Sequence, residues 1–192
     1  IEDVAGALWG RDWIEQMRVA AAPELGRIVV AVDPPVTATA ASDACGIVVA
    51  GLGPDGRAYV LADRSVQGRE PPVWARAAVA AYKDFAADRI VAEANQGGDL
   101  VGVILAQIDR HVPVSLVRAT RGKWVRAEPV AALYAEGRVA HAGTFAALEA
   151  EMLAFGADGR VAGRSPDRVD ALVWALTELI LDAPPRPAIR SL

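Results

Sequence analysis

From residue 27 onward the hydrophobic positions come first as short continuous runs and then at helical spacing. RIVVAVD, Arg27 to Asp33, is nearly all apolar and β-branched, which suits a strand buried on both faces and makes it the expected central strand. CGIVVAG and AYVLADRS follow as two more strand-like runs, separated by LGPDGR, whose Pro, Asp and Gly signal a turn. Three antiparallel strands are the simplest reading. PPVWARAAVAAYKDFAA then sets Trp74, Ala78, Ala81 and Phe85 on one stripe, behind prolines that suit a first helical turn. RIVAEA, Arg89 to Ala94, returns to the strand pattern, Asp99 is placed to cap the helix LVGVILAQID, and VPVSLV, Val112 to Val117, completes the sheet.

Three further helical patterns follow. One runs from Glu128 to Glu136 and stops at Gly137, and another runs from a Thr144 cap to about Phe155. The last has Ser165 as cap and Pro166 at its first position, with Val169, Leu172, Val173, Leu176 and Ile180 forming an apolar stripe through DRVDALVWALTELIL. Residues 1–26 read as a helical lead-in ended by AAPELG, and the three prolines of DAPPRPAIRSL mark 183–192 as a flexible tail. Parallel strands need crossovers, so an antiparallel start followed by strand-helix-strand units implies an α/β domain over 27–182. Its expected centre is a mixed sheet of five or more strands flanked by helices.

Composition narrows the function classes. The net charge of -4, from 24 acidic against 20 basic residues, is unusual for a protein whose whole surface grips nucleic acid, so any polyanion contact must be local. Cys45 is the only cysteine, which excludes disulfides and cysteine-based zinc sites and points to a reducing compartment. No stretch approaches the roughly 18 apolar residues of a membrane helix, and the first twenty residues lack the form of a secretory signal. The expectation is a soluble cytoplasmic protein with no membrane partner.

Three separate elements end or begin in carboxylates. Asp33 closes the first strand, Glu93 closes RIVAE, and Asp167 with Asp170 opens the last helix. Taken singly, each has an ordinary explanation as a solvated strand end, a charge in a first helical turn, or a partner for Arg164 or Arg168. Taken together, they suggest convergence, because sites in α/β sheets form beyond the carboxyl ends of parallel strands. Packed carboxylates repel one another unless cations intervene, so such a cluster suits hard divalent metals, Mg2+ or Mn2+. Two metals about 3.5 to 4 Å apart suit phosphodiester hydrolysis and require no histidine base. His111 and His141 are the only histidines.

RIVVAVDPP, SDACGIVVAG, VAEANQGGD, RGKWVRAEPVAALYAEGRVAH and SPDRVDALVWALTEL resemble, in order and over most of the chain, the nuclease domain of phage-type terminase large subunits. The likeness is nearest to the group found in prophages and gene transfer agents. It implies a ribonuclease H-like fold, a two-metal endonuclease that cuts DNA during packaging into a procapsid, and work in the bacterial host cytoplasm. It also implies Asp33, Glu93, Asp167 and Asp170 as the catalytic, metal-binding acids. Supporting candidates are Asp43, in SDACG where the family often has a DETG-like string, and Asn95, in the loop after Glu93.

The segment VRATRGKWVRAE gathers Arg118, Arg121, Lys123 and Arg126 around Trp124, a basic loop suited to phosphate contact. Arg121, Lys123 and Arg126 are its DNA-binding candidates. A phosphate-cradling GxxxxGK[ST] loop is lacking, so the packaging ATPase that precedes the nuclease in this family is expected in missing N-terminal sequence, in keeping with a chain that opens inside a helical pattern. Double-stranded DNA, that ATPase, the portal, the small terminase subunit and the procapsid are the implied partners. Two alternatives share these features: another ribonuclease H-like nuclease such as a Holliday-junction resolvase, and an idle assembly module whose acids form salt bridges.

Overall fold

The computed structural model describes residues 6–35, 44–68, 70–94 and 99–182. Its strands are β1 (Arg18–Val19), β2 (Arg27–Asp33), β3 (Ala44–Leu52), β4 (Ala58–Asp63), β5 (Val66–Gln67), β6 (Arg89–Glu93), β7 (Val114–Val117) and β8 (Val139–Ala142). Its helices are α1 (Arg11–Gln16), α2 (Pro71–Asp84), α3 (Leu100–Ile108), α4 (Lys123–Ala135), α5 (Ala146–Leu153) and α6 (Asp167–Leu176). A π-helical turn, Thr177–Leu181, continues α6.

The sheet order is β1-β8-β4-β3-β2-β6-β7, with β5 paired to β3 off that path. The three expected antiparallel strands are β2, β3 and β4, and β2 runs alongside β3 for its whole length, from Arg27↔Leu52 to Asp33↔Gly46. β6 and β7 then add in parallel on one side, and β8 adds in parallel to β4 on the other. This is the mixed sheet expected from the run pattern, enlarged by three short strands. β1 and β5 escaped the sequence reading because each has only two residues, and β8 because its four carry little strand signal. VAHA, the sequence of β8, holds one β-branched residue.

Helices cover both faces. Trp9 and Ile14 join α4, α5 and α6 in one buried layer, while α2 and α3 form the other with Trp74, Ala78 and Leu105. The sheet divides them by parity: Val29 and Ala31 of β2 face the α6 layer, and Val30 and Val32 face the α2 layer. Hence β2 reads as an unbroken apolar run, being buried on both sides. Every residue of α6 except Arg168 is buried, and Leu172 or Leu176 alone contributes about 1.5 to 3 kcal/mol by leaving water.

Several element ends differ from expectation. Among its described residues the lead-in is helical only over α1; β1 follows it and pairs with β8, so these residues pack into the domain. α4 begins at Lys123, five residues before the expected Glu128, because Pro129, which suggests a first turn, sits inside the helix. Phe145, not Thr144, precedes α5. α6 starts at Asp167 after Pro166, and Ser165 does not cap it. Instead the first-turn amides of Arg168 and Val169 donate to Glu151 of α5, at 3.1 and 3.4 Å. The Arg168 side chain ties the same Glu151 (2.8 Å) to Asp63 of β4 (3.0 Å). Asp99 sits at the N-terminal boundary of α3 without a side-chain capping bond.

A buried polar network fixes β8. His141 Nδ1 donates to Glu149 at 2.9 Å, Tyr134 lies 2.8 Å from the other ring nitrogen, and Arg18 of β1 donates to Glu149 at 2.8 Å. Burial alone would raise the Glu149 pKa, but hydrogen bonds from His141, Arg18 and the Phe145 amide outweigh it and hold the carboxyl at about 2. His141 is thus a structural residue.

Candidate metal centre

β2 and β6 are parallel and in step, with Val32 opposite Ala92, so the next residues, Asp33 and Glu93, leave the sheet side by side at the same end. Parity sets their direction. Val91 of β6 belongs to the α6 layer while Ile90 and Ala92 belong to the α2 layer, so alternation carries Glu93, like Asp33, toward α6. From that side α6 brings Asp167 and Asp170 in its first turn. At the opposite end Glu178 of the π-helical turn pairs with Arg27, the first residue of β2, and with Arg89, the first residue of β6, at 3.5 Å to the latter. The helix is therefore anchored along the same two strands whose carboxyl ends carry the acids.

Gly46 makes the approach of α6 sterically feasible. It lies opposite Asp33 in β3, and a Cβ built on it would stand 1.8 Å from the Asp167 carbonyl oxygen and 2.4 Å from its carbon. No side chain fits between β3 and the first turn of α6.

All four acids are buried: Asp33 and Asp167 are 8% exposed, Glu93 3% and Asp170 2%. Burial pushes the Asp33 carboxyl well above the ordinary range, and the charges of Asp170 and Glu93 push it further, against the pull of Lys123. Burial also raises Asp170, against Lys123 and Arg126, and raises Asp167, against a hydrogen bond from Ser165. Two cations from the first turn of α4 sit among these groups. Lys123 Nζ donates to Asp170 Oδ2 and, at 2.8 Å, to Ser165 Oγ. Arg126 reaches the other Asp170 oxygen at 3.3 Å and Glu93 Oε2 at 3.6 Å, with its guanidinium 4.8 Å above the Trp174 ring. Trp174 Nε1 donates to the same Glu93 oxygen at 2.7 Å.

Among the described residues no three Asp, Glu, His or Cys side chains are gathered closely enough to cage a cation. The chemistry of the donor set nevertheless fits one. It consists only of oxygens, the carboxylates are removed from water, and they repel one another. Protein cations supply part of the neutralisation that divalent ions would supply. Asp33, Glu93, Asp167 and Asp170 thus lie at one end of the sheet, near enough for the charges of the other three to act on Asp33.

The basic segment is arranged differently from the expected loop. Arg121 is exposed just ahead of α4, but Lys123 and Arg126 belong to the helix and turn inward to the acids. Their placement follows from the buried carboxylates beside them, which attract the nearest cations. Asp43 and Asn95 lie outside the described residues. Sequence reasoning missed Gly46 and Trp174. Trp174 carried a signal: it follows Asp170 by four residues and Asp167 by seven, the spacing of one helix face.

Residues 30–179 match the model of a family described as the terminase RNaseH-like domain. No curated protein matches the chain. Among solved structures, the large terminase nuclease of thermophilic phage G20c is 15% identical, with a TM-score of 0.66 over 90% of this chain and 98% of that one. The nuclease domain of the P22 large terminase is 14% identical, with a TM-score of 0.68 over 93% and 95%. The human cytomegalovirus terminase nuclease domain is 12% identical, with a TM-score of 0.64 over 87% and 93%. The G20c nuclease has also been solved with bound cobalt and with bound magnesium.

Proposed function

Since the chain belongs to the terminase ribonuclease H-like domain family, we propose that it is a metal-dependent DNA endonuclease that cuts double-stranded DNA during packaging into a procapsid, by two-metal-ion phosphodiester hydrolysis. The observation that carries this reading is the convergence of four buried carboxylates, from β2, β6 and α6, at one end of the sheet. The cobalt and magnesium held by the G20c nuclease support it.

Asp33, Glu93, Asp167 and Asp170 would hold Mg2+ or Mn2+. Bound there, the two cations supply an activated water and neutralise the leaving oxygen. β2 and β6 bring Asp33 and Glu93 to the same end of the sheet, while α6 presents its two acids from above. Lys123 and Arg126, which pair with Asp170 and Glu93, would supply positive charge for the DNA phosphate beside those cations. Arg121, already exposed, draws the DNA backbone to the site. The natural partners on this reading are an ATPase domain earlier in the same protein, the portal, the small terminase subunit and the procapsid, in the cytoplasm of a bacterial host.

The test offers supercoiled plasmid and a four-way DNA junction to the wild-type protein and to Asp33→Asn, with Mn2+ and with EDTA. Expected is plasmid cutting that requires Mn2+, shows no junction preference and falls at least ~100-fold in Asp33→Asn. The variant should keep or gain melting temperature, because one repelling carboxylate is removed. Cutting in EDTA, or wild-type rates in Asp33→Asn, would overturn the proposal.

A further inference from the structure

The acids at this site come from three elements, and a strand end alone does not fix a carboxylate. Glu93 is the last residue of β6, paired with Val117 of β7 but beyond the last pairing with β2, Val32↔Ala92. Its side chain is nevertheless tightly placed. Trp174 Nε1 donates to Glu93 Oε2 at 2.7 Å, between two buried residues. Arg126 stacks over the Trp174 ring at 4.8 Å and approaches the same Glu93 oxygen at 3.6 Å, so the indole and the guanidinium close around one atom. The Trp174 bond turns Oε2 toward α6, so Oε1 would be the oxygen offered to a cation.

Trp174 also stands on the helix that carries Asp167 and Asp170, at i+7 and i+4 from them. One rigid helix therefore presents two acids and grips a third from another element. Nε1–H is the sole hydrogen-bonding group of an indole, and its burial against Glu93 leaves it no other partner in the structure.

We propose that Trp174 is a positioning residue, which orients Glu93 for divalent-cation binding through its Nε1–H and holds Arg126 in stacking register beside it. This inference rests on the nuclease reading of the site. Hydrogen-bond partners of metal-ligating side chains change metal affinity by about 10- to 100-fold when removed, because the ligand then spends most of its time in unproductive rotamers.

The discriminating variant is Trp174→Phe, which keeps an aromatic ring for Arg126 and the core but removes the N–H. Mn2+ alone is titrated into the protein, with free Mn2+ read by electron paramagnetic resonance, and circular dichroism verifies the fold. Wild type should bind Mn2+, Trp174→Phe should bind it about tenfold more weakly, and in a Glu93→Ala background Trp174→Phe should change the affinity less than twofold. A purely structural role would weaken binding equally in both backgrounds, and that result overturns the proposal, as does unchanged affinity in the single variant. Should Trp174→Phe lose the fold, Trp174→His, which retains a ring N–H, is compared with Trp174→Leu by the same titration. Recovery of affinity with His alone supports the role, and equal affinities refute it. A wild-type protein that binds no Mn2+ refutes the nuclease reading itself, an outcome distinct from Mn2+ binding that is indifferent to position 174.

Discussion

Replacing Gly46 by alanine adds a single methyl group, and the structure gives it no place. Its Cβ would stand 1.8 Å from the Asp167 carbonyl oxygen, 2.4 Å from the carbonyl carbon and 3.1 Å from the Arg168 nitrogen. Ordinary contact between such atoms begins near 3.4 Å, so α6 and β3 would have to separate by roughly 1.5 Å at this point. The obstructing atoms are backbone, so no side chain can rotate away. α6 is buried along almost its whole length, which makes the retreat costly. Overpacking of this kind costs about 2 to 3 kcal/mol, a fall of roughly 5 to 10 °C in melting temperature for a domain of this size. Function should suffer more than stability, because Asp167 and Asp170 travel with the helix. A displacement of about 1 Å at a reacting centre costs on the order of 100-fold in rate. Denaturant unfolding and Mn2+-dependent plasmid cleavage measure the two effects. Gly26→Ala is the control, since its nearest neighbour would be 4.0 Å away, and it should stay within about 0.5 kcal/mol of wild type. A Gly46→Ala protein with wild-type stability and cleavage would show that α6 does not need the gap, and the account of how the acids meet would fail.

Glu149 makes stability depend on acid. Its folded pKa, about 2, lies below the ordinary 4.5, so its contribution is fully present above pH 4.5 and is lost as pH falls through the folded value. After allowance for partial exposure it amounts to about 2 to 3 kcal/mol. Between pH 6 and pH 3 the wild type should lose more stability than Glu149→Gln; parallel curves would contradict the assignment. Lys123→Met should lower the melting temperature of the metal-free protein by roughly 3 °C, since Asp170 would keep only Arg126 as counter-charge. Saturating Mn2+ should remove that deficit if the lysine and the cation serve the same carboxylate, and a deficit that persists would argue against it. Arg121→Ala should reduce the slope of log affinity for DNA against log salt by about 0.9, and an unchanged slope would remove Arg121 from the interface.

The sheet core and its acids were legible because apolar strands advertise themselves: β2, β3, β4 and β6 are mostly apolar runs, and Asp33 and Glu93 stand where β2 and β6 stop. The short strands were not legible, since β8 and β1 owe their conformation to neighbours in the sheet rather than to their own residues. Pro129 concealed the first two turns of α4, and so Lys123 and Arg126 were expected in a loop facing DNA. Their inward turn depends on the spacing between α4 and the acids, a tertiary quantity. Gly46 was unreadable for the same reason. Its backbone is ordinary for a strand, and only the position of α6 shows why nothing larger fits.

The alternation along β2 carries a consequence for how this domain tolerates change in length. Substituting one apolar residue of Arg27–Val32 for another alters packing on one side of the sheet and leaves Asp33 aimed as it was. Deleting a single residue there would turn the carboxylate through half a revolution, into the dry layer of Val32, Ile47 and Trp74, where no cation waits for it. Sequences that drift freely in volume at these positions should still hold their count fixed, so in this strand arithmetic is guarded more strictly than identity.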